Sequence, residues 1–455
     1  MIQDDEDDFK MGNPAAVTLD KKDENATPKK FKKTIIILSI IAVLVLGIMI
    51  SFIFNFHFFD DEEEPTDIES GKSDTSDKDD DQSQNIYWEN GGFSEPWYDI
   101  FGNSTSNIPY VEGNTIENTY KSGGRNFISE IGDIHEGKDY QKTERNIYDL
   151  YIPYSALQTK NNHHGVLLFI HGGAWVGLYK ETLTHLASRY AKMGYITANM
   201  GYTLLSNNSS DTNIFRILDE IGTCLNQIKI KLGREGFSTD KLEFAVGGYS
   251  AGAHLALLFA YTYNLPDIKI KFVIDIVGPI SLDPEHFYST NPKENPLENI
   301  EDVNTIKDAI GKVLIPTQDN ESYYLTFMNA FTGNKFTNDL YQMLNEDKNK
   351  INKENEKYQE MYKIAKHAFP INKVNTDIPV LCEYCGNDGT VGAAQYAYLK
   401  KKYVEANKAD NIELVYMRFS EHITHPNNNT DDILTMKKMH YKILSYMNKY
   451  FTKDN

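Results

Sequence analysis

The sequence predicts an α/β fold, with a mostly parallel sheet covered by helices on both faces. Three observations predict it. Short continuous apolar runs occur at Gly165-Val166-Leu167-Leu168-Phe169-Ile170 and Phe272-Val273-Ile274-Asp275-Ile276-Val277, as in strands buried on both faces. These runs alternate with longer stretches of helical spacing, and strands that alternate with helices make parallel sheets. The third observation is Gly248-Tyr249-Ser250-Ala251-Gly252, a G-x-S-x-G pattern. It sits between a strand-like run, 242–247, and a helix-forming run, 253–260, the context that lifts a serine out of a tight turn with its hydroxyl exposed.

Taken in order, residues 1–33 are polar, charged and without period, and they read as a disordered tail. Residues 34–59 carry no charge. At about 1.5 Å per residue, the run from 34 to 54 spans a hydrocarbon core of about 30 Å. It has no polar stripe, which a buried soluble helix of this length would show. The run is longer than the apolar part of a cleaved signal peptide, so it reads as a transmembrane signal anchor and implies the lipid bilayer as a partner. Lys29, Lys30, Lys32 and Lys33 precede it and Asp60 to Glu64 follow it. That bias places the N-terminus in the cytosol and everything after it outside, as a single-pass type II protein of the cell surface or a lumen.

The formal net charge of −19 is unevenly spread, because residues 60–81 hold 12 acids and 2 lysines. Residues 60–85 read as an acidic flexible tether. The charge left for 86–455 is ordinary for a soluble domain, and without a basic face nucleic acid is not an expected partner.

From residue 86 the composition turns globular. Strands are expected at 127–134, 146–152, 165–170, 195–201, 242–247, 272–277, 379–384 and 412–419. Helices are expected at about 181–193, 212–232, 253–260, 392–406 and 431–450. Between Val277 and Ile378 lie about 100 residues, with the aromatic cluster Tyr323-Tyr324-Leu325-Thr326-Phe327 and lysine-rich helical material at 338–366. So long a connection is expected to carry structure of its own, and it reads as a helical cap insertion over about 282–366.

A serine nucleophile needs a base, a group to orient that base and an oxyanion hole. Each has a candidate at a strand end. Ser250 is the nucleophile. Asp388, in Gly386-Asn387-Asp388-Gly389 just past a strand, is the acid. His422 follows the strand 412–419 and is favoured as base over His425, the alternative base three residues on. His171-Gly172-Gly173-Ala174-Trp175 follows the strand 165–170, and its glycines let backbone amides turn inward. Gly173 and Ala174, with Ala251 after the nucleophile, are the expected oxyanion donors. His171 and His254 read as structural hydrogen-bonding residues. No histidine has metal-ligand spacing, so no metal is expected. Cys382-Glu383-Tyr384-Cys385 looks like a redox or zinc pair, but it lies inside an apolar run and reads as two small buried hydrophobes.

The order Ser250, Asp388, His422, together with Tyr148-Asp149-Leu150-Tyr151-Ile152-Pro153, His171-Gly172-Gly173-Ala174-Trp175 and Gly248 to His254, resembles the α/β-hydrolase superfamily in its carboxylesterase and hormone-sensitive-lipase-like branch. The resemblance covers about 145–450. It implies an eight-stranded, mostly parallel sheet and a cofactor-free Ser-His-Asp esterase acting on a small-molecule ester through an acyl-enzyme. Other readings on the same fold are an amidase, a lipase or a catalytically silent binding or adhesion ectodomain. N-glycosylation patterns at Asn103, Asn207, Asn208, Asn320 and Asn428 agree with an extracytoplasmic glycoprotein.

Overall fold

A computed structural model describes residues 116–118, 127–133, 145–205, 212–290, 314–316, 321–422 and 430–454. The expected tail, signal anchor and tether (1–33, 34–59 and 60–85) lie outside the described residues. Among those described, no helix is long and apolar enough to cross a membrane.

The chain runs β1 (Ile116–Asn118), β2 (Phe127–Asp133), β3 (Ile147–Pro153), α1 (Tyr154–Gln158), β4 (His164–Ile170), α2 (Thr184–Lys192), β5 (Ile196–Met200), α3 (Ile214–Arg234), β6 (Leu242–Tyr249), α4 (Ala251–Thr262) and β7 (Ile270–Ile276). After them come β8 (Tyr288–Thr290), β9 (Leu314–Pro316), α5 (Ser322–Phe331), α6 (Glu356–Ala365), β10 (Val380–Cys385), α7 (Ala394–Glu405), β11 (Ile412–Met417) and α8 (Thr430–Tyr450). One sheet has the order β1-β2-β3-β5-β4-β6-β7-β10-β11. Pairing is antiparallel from β1 to β5 and parallel from β5 to β11. The sheet therefore has nine strands where eight were expected. The extra one, β1, is a three-residue edge pairing with β2, too short to carry a period.

Strand alternation divides the core. Val166, Leu168 and Ile170 of β4 face a cluster with α3, α4 and α7, while Leu167 and Phe169 face one with α2 and α8. Residues two apart on a strand share a face, so β4 is apolar throughout and lies at the centre of the sheet. The same rule settles the cysteines. Cys382 packs in one cluster and Cys385 in the other, and both are free thiols. Positions three apart on a strand point to opposite faces and cannot pair.

Helix α3 illustrates how a sequence signal becomes packing. Ile214, Ile217, Leu218, Ile221, Leu225, Ile228 and Leu232 make one buried stripe. The Asn213 side chain accepts hydrogen bonds from the amides of Phe215 and Arg216, both at 3.0 Å. Replacing such a cap with alanine costs about 1 kcal/mol.

Between β7 and β10 the structure differs from the expected lysine-rich helix. Only Glu356–Ala365 of the stretch 338–366 is α-helical, and Leu344 bridges to Ile351 across turns. The aromatic cluster instead forms α5, whose buried residues include Tyr324, Leu325, Phe327, Met328 and Phe331.

Candidate active site

Strand β6 leads directly into Ser250, which has φ 53° and ψ −120°. A residue with a side chain adopts such a conformation at a cost of about 1–3 kcal/mol. The surroundings fix it. The Ser250 amide donates to the Ile276 carbonyl at 2.8 Å, and the Ser250 carbonyl accepts from His254 at 3.1 Å. A Cβ on Gly252 would strike the carbonyl oxygen of Ile170, so only glycine lets α4 begin this close to β4.

Ser250, Asp388 and His422 follow the C-terminal ends of three parallel strands, β6, β10 and β11. The structure brings them together. His422 Nε2 lies 2.8 Å from Ser250 Oγ, and His422 Nδ1 lies 2.8 Å from Asp388 Oδ2. Asp388 is fully buried, and its second oxygen accepts from the amides of Thr390 and Val391, both at 2.8 Å. Those bonds hold it as an acceptor, so the imidazole proton sits on Nδ1 and Nε2 is free to accept from the serine hydroxyl. His425, the alternative base, lies outside the described residues.

The loop after β4 borders the serine: a Cβ on Gly172 would come 3.2 Å from Ser250 Cβ. Its backbone is left-handed at Gly173 (φ 100°), Ala174 (φ 50°) and Trp175 (φ 61°). Among the described residues neither the Gly173 nor the Ala174 amide finds a backbone acceptor. Ala251 opens α4, where an amide has no intrahelical partner. These are the donor types an oxyanion hole uses. Behind the loop, buried Lys180 donates to both carboxylate oxygens of Asp149 at 2.8 Å, and Arg145 Nη1 donates to the Leu178 carbonyl at 2.5 Å. Removing one partner of such a buried pair costs about 3–5 kcal/mol.

The other two histidines near the site have local partners. His171 is buried, stacks on Tyr202 at 4.2 Å, and shares a 2.8 Å bond with the Gly172 carbonyl through Nδ1. Burial lowers its pKa to about 4. His254 lies between Trp175 Nε1 at 3.3 Å and the Ala368 carbonyl at 2.8 Å, and burial lowers its pKa to about 3. Among the described residues no group of three His, Cys, Asp or Glu could hold a metal ion.

Sequence reasoning missed Tyr249. Its hydroxyl donates to the backbone carbonyl of His422, and its ring centroid lies 5.7 Å from the imidazole. The residue is one of the two variable letters of G-x-S-x-G, so no pattern singles it out. The Asp149–Lys180 pair was missed as well, because no local spacing links positions 31 residues apart.

Solved structures that match the chain include three esterases. An inhibited esterase B from Lactobacillus rhamnosis is 14% identical, with a TM-score of 0.42, and the match covers 70% of this chain and 87% of that one. A truncated carbohydrate esterase from gut microbiota is 14% identical, with a TM-score of 0.43 and coverage of 70% and 96%. A thermophilic esterase from the planctomycete Thermogutta terrifontis is 12% identical, with a TM-score of 0.42 and coverage of 70% and 92%. No curated protein sequence matches the chain. The BD-FAE family matches residues 148–403, more than half of the 455 residues and a span holding Ser250, Asp388 and the loop after β4. The chain belongs to the BD-FAE family, an esterase-like family of the α/β-hydrolase fold.

Proposed function

We propose that this chain is a serine carboxylesterase acting through an acyl-enzyme. One observation carries the reading: a single imidazole bridges Ser250 Oγ and a buried carboxylate, at 2.8 Å on each side. In this reading His422 takes the hydroxyl proton as Ser250 Oγ attacks the ester carbonyl. Asp388 holds the imidazole and stabilises its charged form. The amides of Gly173, Ala174 and Ala251 stabilise the oxyanion, each at a worth of about 10²–10³ in rate. His422 then protonates the leaving alcohol, and water repeats the cycle on the acyl-enzyme.

The test uses the full chain in detergent, with p-nitrophenyl esters of increasing acyl length and a fluorophosphonate label. Turnover and label in the wild type, both lost in Ser250→Ala, are expected. A folded wild type with neither would turn the reading to a silent binding ectodomain. We also infer that residues 34–59 anchor the chain with its hydrolase domain outside the cytosol, supported by their lack of charge and the lysines before them. Protease protection in sealed vesicles checks this, and a hydrolase domain digested from the cytosolic side would overturn it.

A further inference from the structure

Eight non-glycine residues among those described have positive φ, and three of them, Ala174, Trp175 and Leu178, fall on the loop after β4. Left-handed backbone disfavours any residue with a Cβ, so this loop keeps its shape only if something holds it. Its own hydrogen bonds are few. The amides of Val176 and Gly177 return to the Gly173 carbonyl, and the Leu205 amide donates to the Trp175 carbonyl.

From outside the loop, Arg145 donates to the Leu178 carbonyl and the Tyr202 hydroxyl to the His171 and Gly172 carbonyls. The Trp175 side chain adds a further hold. It is 3% exposed. The indole Nε1–H donates to His254 Nδ1 at 3.3 Å. That bond leaves the imidazole proton on Nε2, which donates to the Ala368 carbonyl at 2.8 Å. His254 therefore ties α4, the loop after β4 and the segment before β10 to one another. The indole also meets two rings of α5, at interplanar angles of 63° for Phe327 and 89° for Phe331. The centroid distances are 5.3 Å to Phe327 and 4.8 Å to Phe331, which is the favoured edge-to-face arrangement. Phe331 also packs on His254 at 5.3 Å. Helix α5 belongs to the insertion between β7 and β10, so this insertion grips the loop beside Ser250.

We propose that Trp175 is a positioning residue for the oxyanion amides, and that α5, through Phe327 and Phe331, holds it in place. The insertion then bears on the chemical step. This rests on the esterase reading above.

The test compares full-length wild type with Trp175→Phe, which keeps a ring but drops the indole N–H, and with Phe331→Leu, which keeps apolar bulk but drops the ring edge. The measurements are kcat and KM on a p-nitrophenyl ester, Ki for phenylboronic acid, the pH profile of kcat/KM, and the melting temperature. Phenylboronic acid forms a tetrahedral adduct on the serine and draws on the same amides as the transition state. We expect kcat to fall about 10- to 100-fold, less than the roughly 10²–10³ that loss of a whole oxyanion donor costs. KM should stay within about twofold, Ki should rise in step with the loss in kcat/KM, and the pH midpoint should not move. If one variant fails to melt cooperatively, the other carries the test. Unchanged kcat and Ki in a folded variant overturn the proposal. So does a fall in kcat without weaker boronate binding, which would place the effect away from the oxyanion amides. A wild type with neither turnover nor fluorophosphonate label overturns the esterase reading and this proposal with it. A labelled, active wild type beside unaffected variants overturns this proposal alone.

Discussion

Ser250 and His422 meet at 2.8 Å, yet the two sides of that contact are built differently. The serine side is local. Strand β6, the turn and α4 form one continuous stretch, and its tight approach to β4 is written in Gly252. The histidine side is assembled from distant segments. The Asn387 amide donates to the Ser420 carbonyl at 3.1 Å, and Asn387 Nδ2 donates to the Phe419 carbonyl at 2.9 Å. Ser420 Oγ donates to Asp432 at 2.7 Å, and Tyr249 reaches across to the His422 carbonyl. The proposed nucleophile can thus be recognised from five letters and the strand and helix that flank them. The proposed base is defined by packing, which is why the sequence favoured His422 with His425 as the alternative.

The comparison can be broken at its centre. Ser250→Ala should lower kcat on a p-nitrophenyl ester by about 10⁴–10⁶. His422→Ala should do nearly as much while His425→Ala stays close to wild type; the reverse result would reassign the base. Asp388→Asn should cost about 10³–10⁴ in kcat, because the amide no longer favours the Nδ1–H tautomer. A sharper probe is Tyr249→Phe, which leaves the serine side intact and removes one bond to the histidine side. One hydrogen bond of this kind is worth about 1 kcal/mol, so kcat should fall about five- to tenfold with KM unchanged. An unaltered kcat would mean that the other contacts suffice to hold the loop.

Smaller effects concern the frame. Burial holds His171 at about 4, His254 at about 3 and His440 well below the usual histidine value. A depressed pKa contributes stability above the unfolded value of about 6.5, and that stability is lost as pH falls. Burial acts oppositely on Asp275, which is pushed up to about 7 although Tyr384 and the Gly278 amide donate to it. Its contribution is present at low pH and lost as pH rises toward 7. Thermal melts should therefore fall from pH 6.5 to pH 4, and Asp275→Asn should make that slope steeper by removing the offset. A shallower slope in the variant would contradict the sign. Smallest of all, the three thiols should resist Ellman's reagent in the folded protein and react on unfolding, since burial raises each of them.

What was legible in the sequence follows the same division. Strands β4, β6, β7 and β10 stand out because a strand covered on both faces is apolar along most of its length. The stripe of α3 stands out because a helix against a sheet needs one apolar side. The stretch 338–366 misled because its lysines suit a helix by propensity, while the side chains of Asn345, Asp347 and Asn352 accept from backbone amides and favour turns. The bond from Trp175 to His254 spans 79 positions, and no local pattern can announce a partner that far away.

Ser250 and His422, its proposed base, are 172 residues apart, and β11 and α8 come after the nucleophile turn. That separation has a consequence for biogenesis. A ribosome that has released the nucleophile turn has yet to make the strand that supplies the base and the helix whose Asp432 fastens it. On the proposed mechanism, the nascent chain holds its nucleophile before it holds its base. On the same mechanism, a chain stopped after Ser250 and before His422 lacks the base that its serine needs.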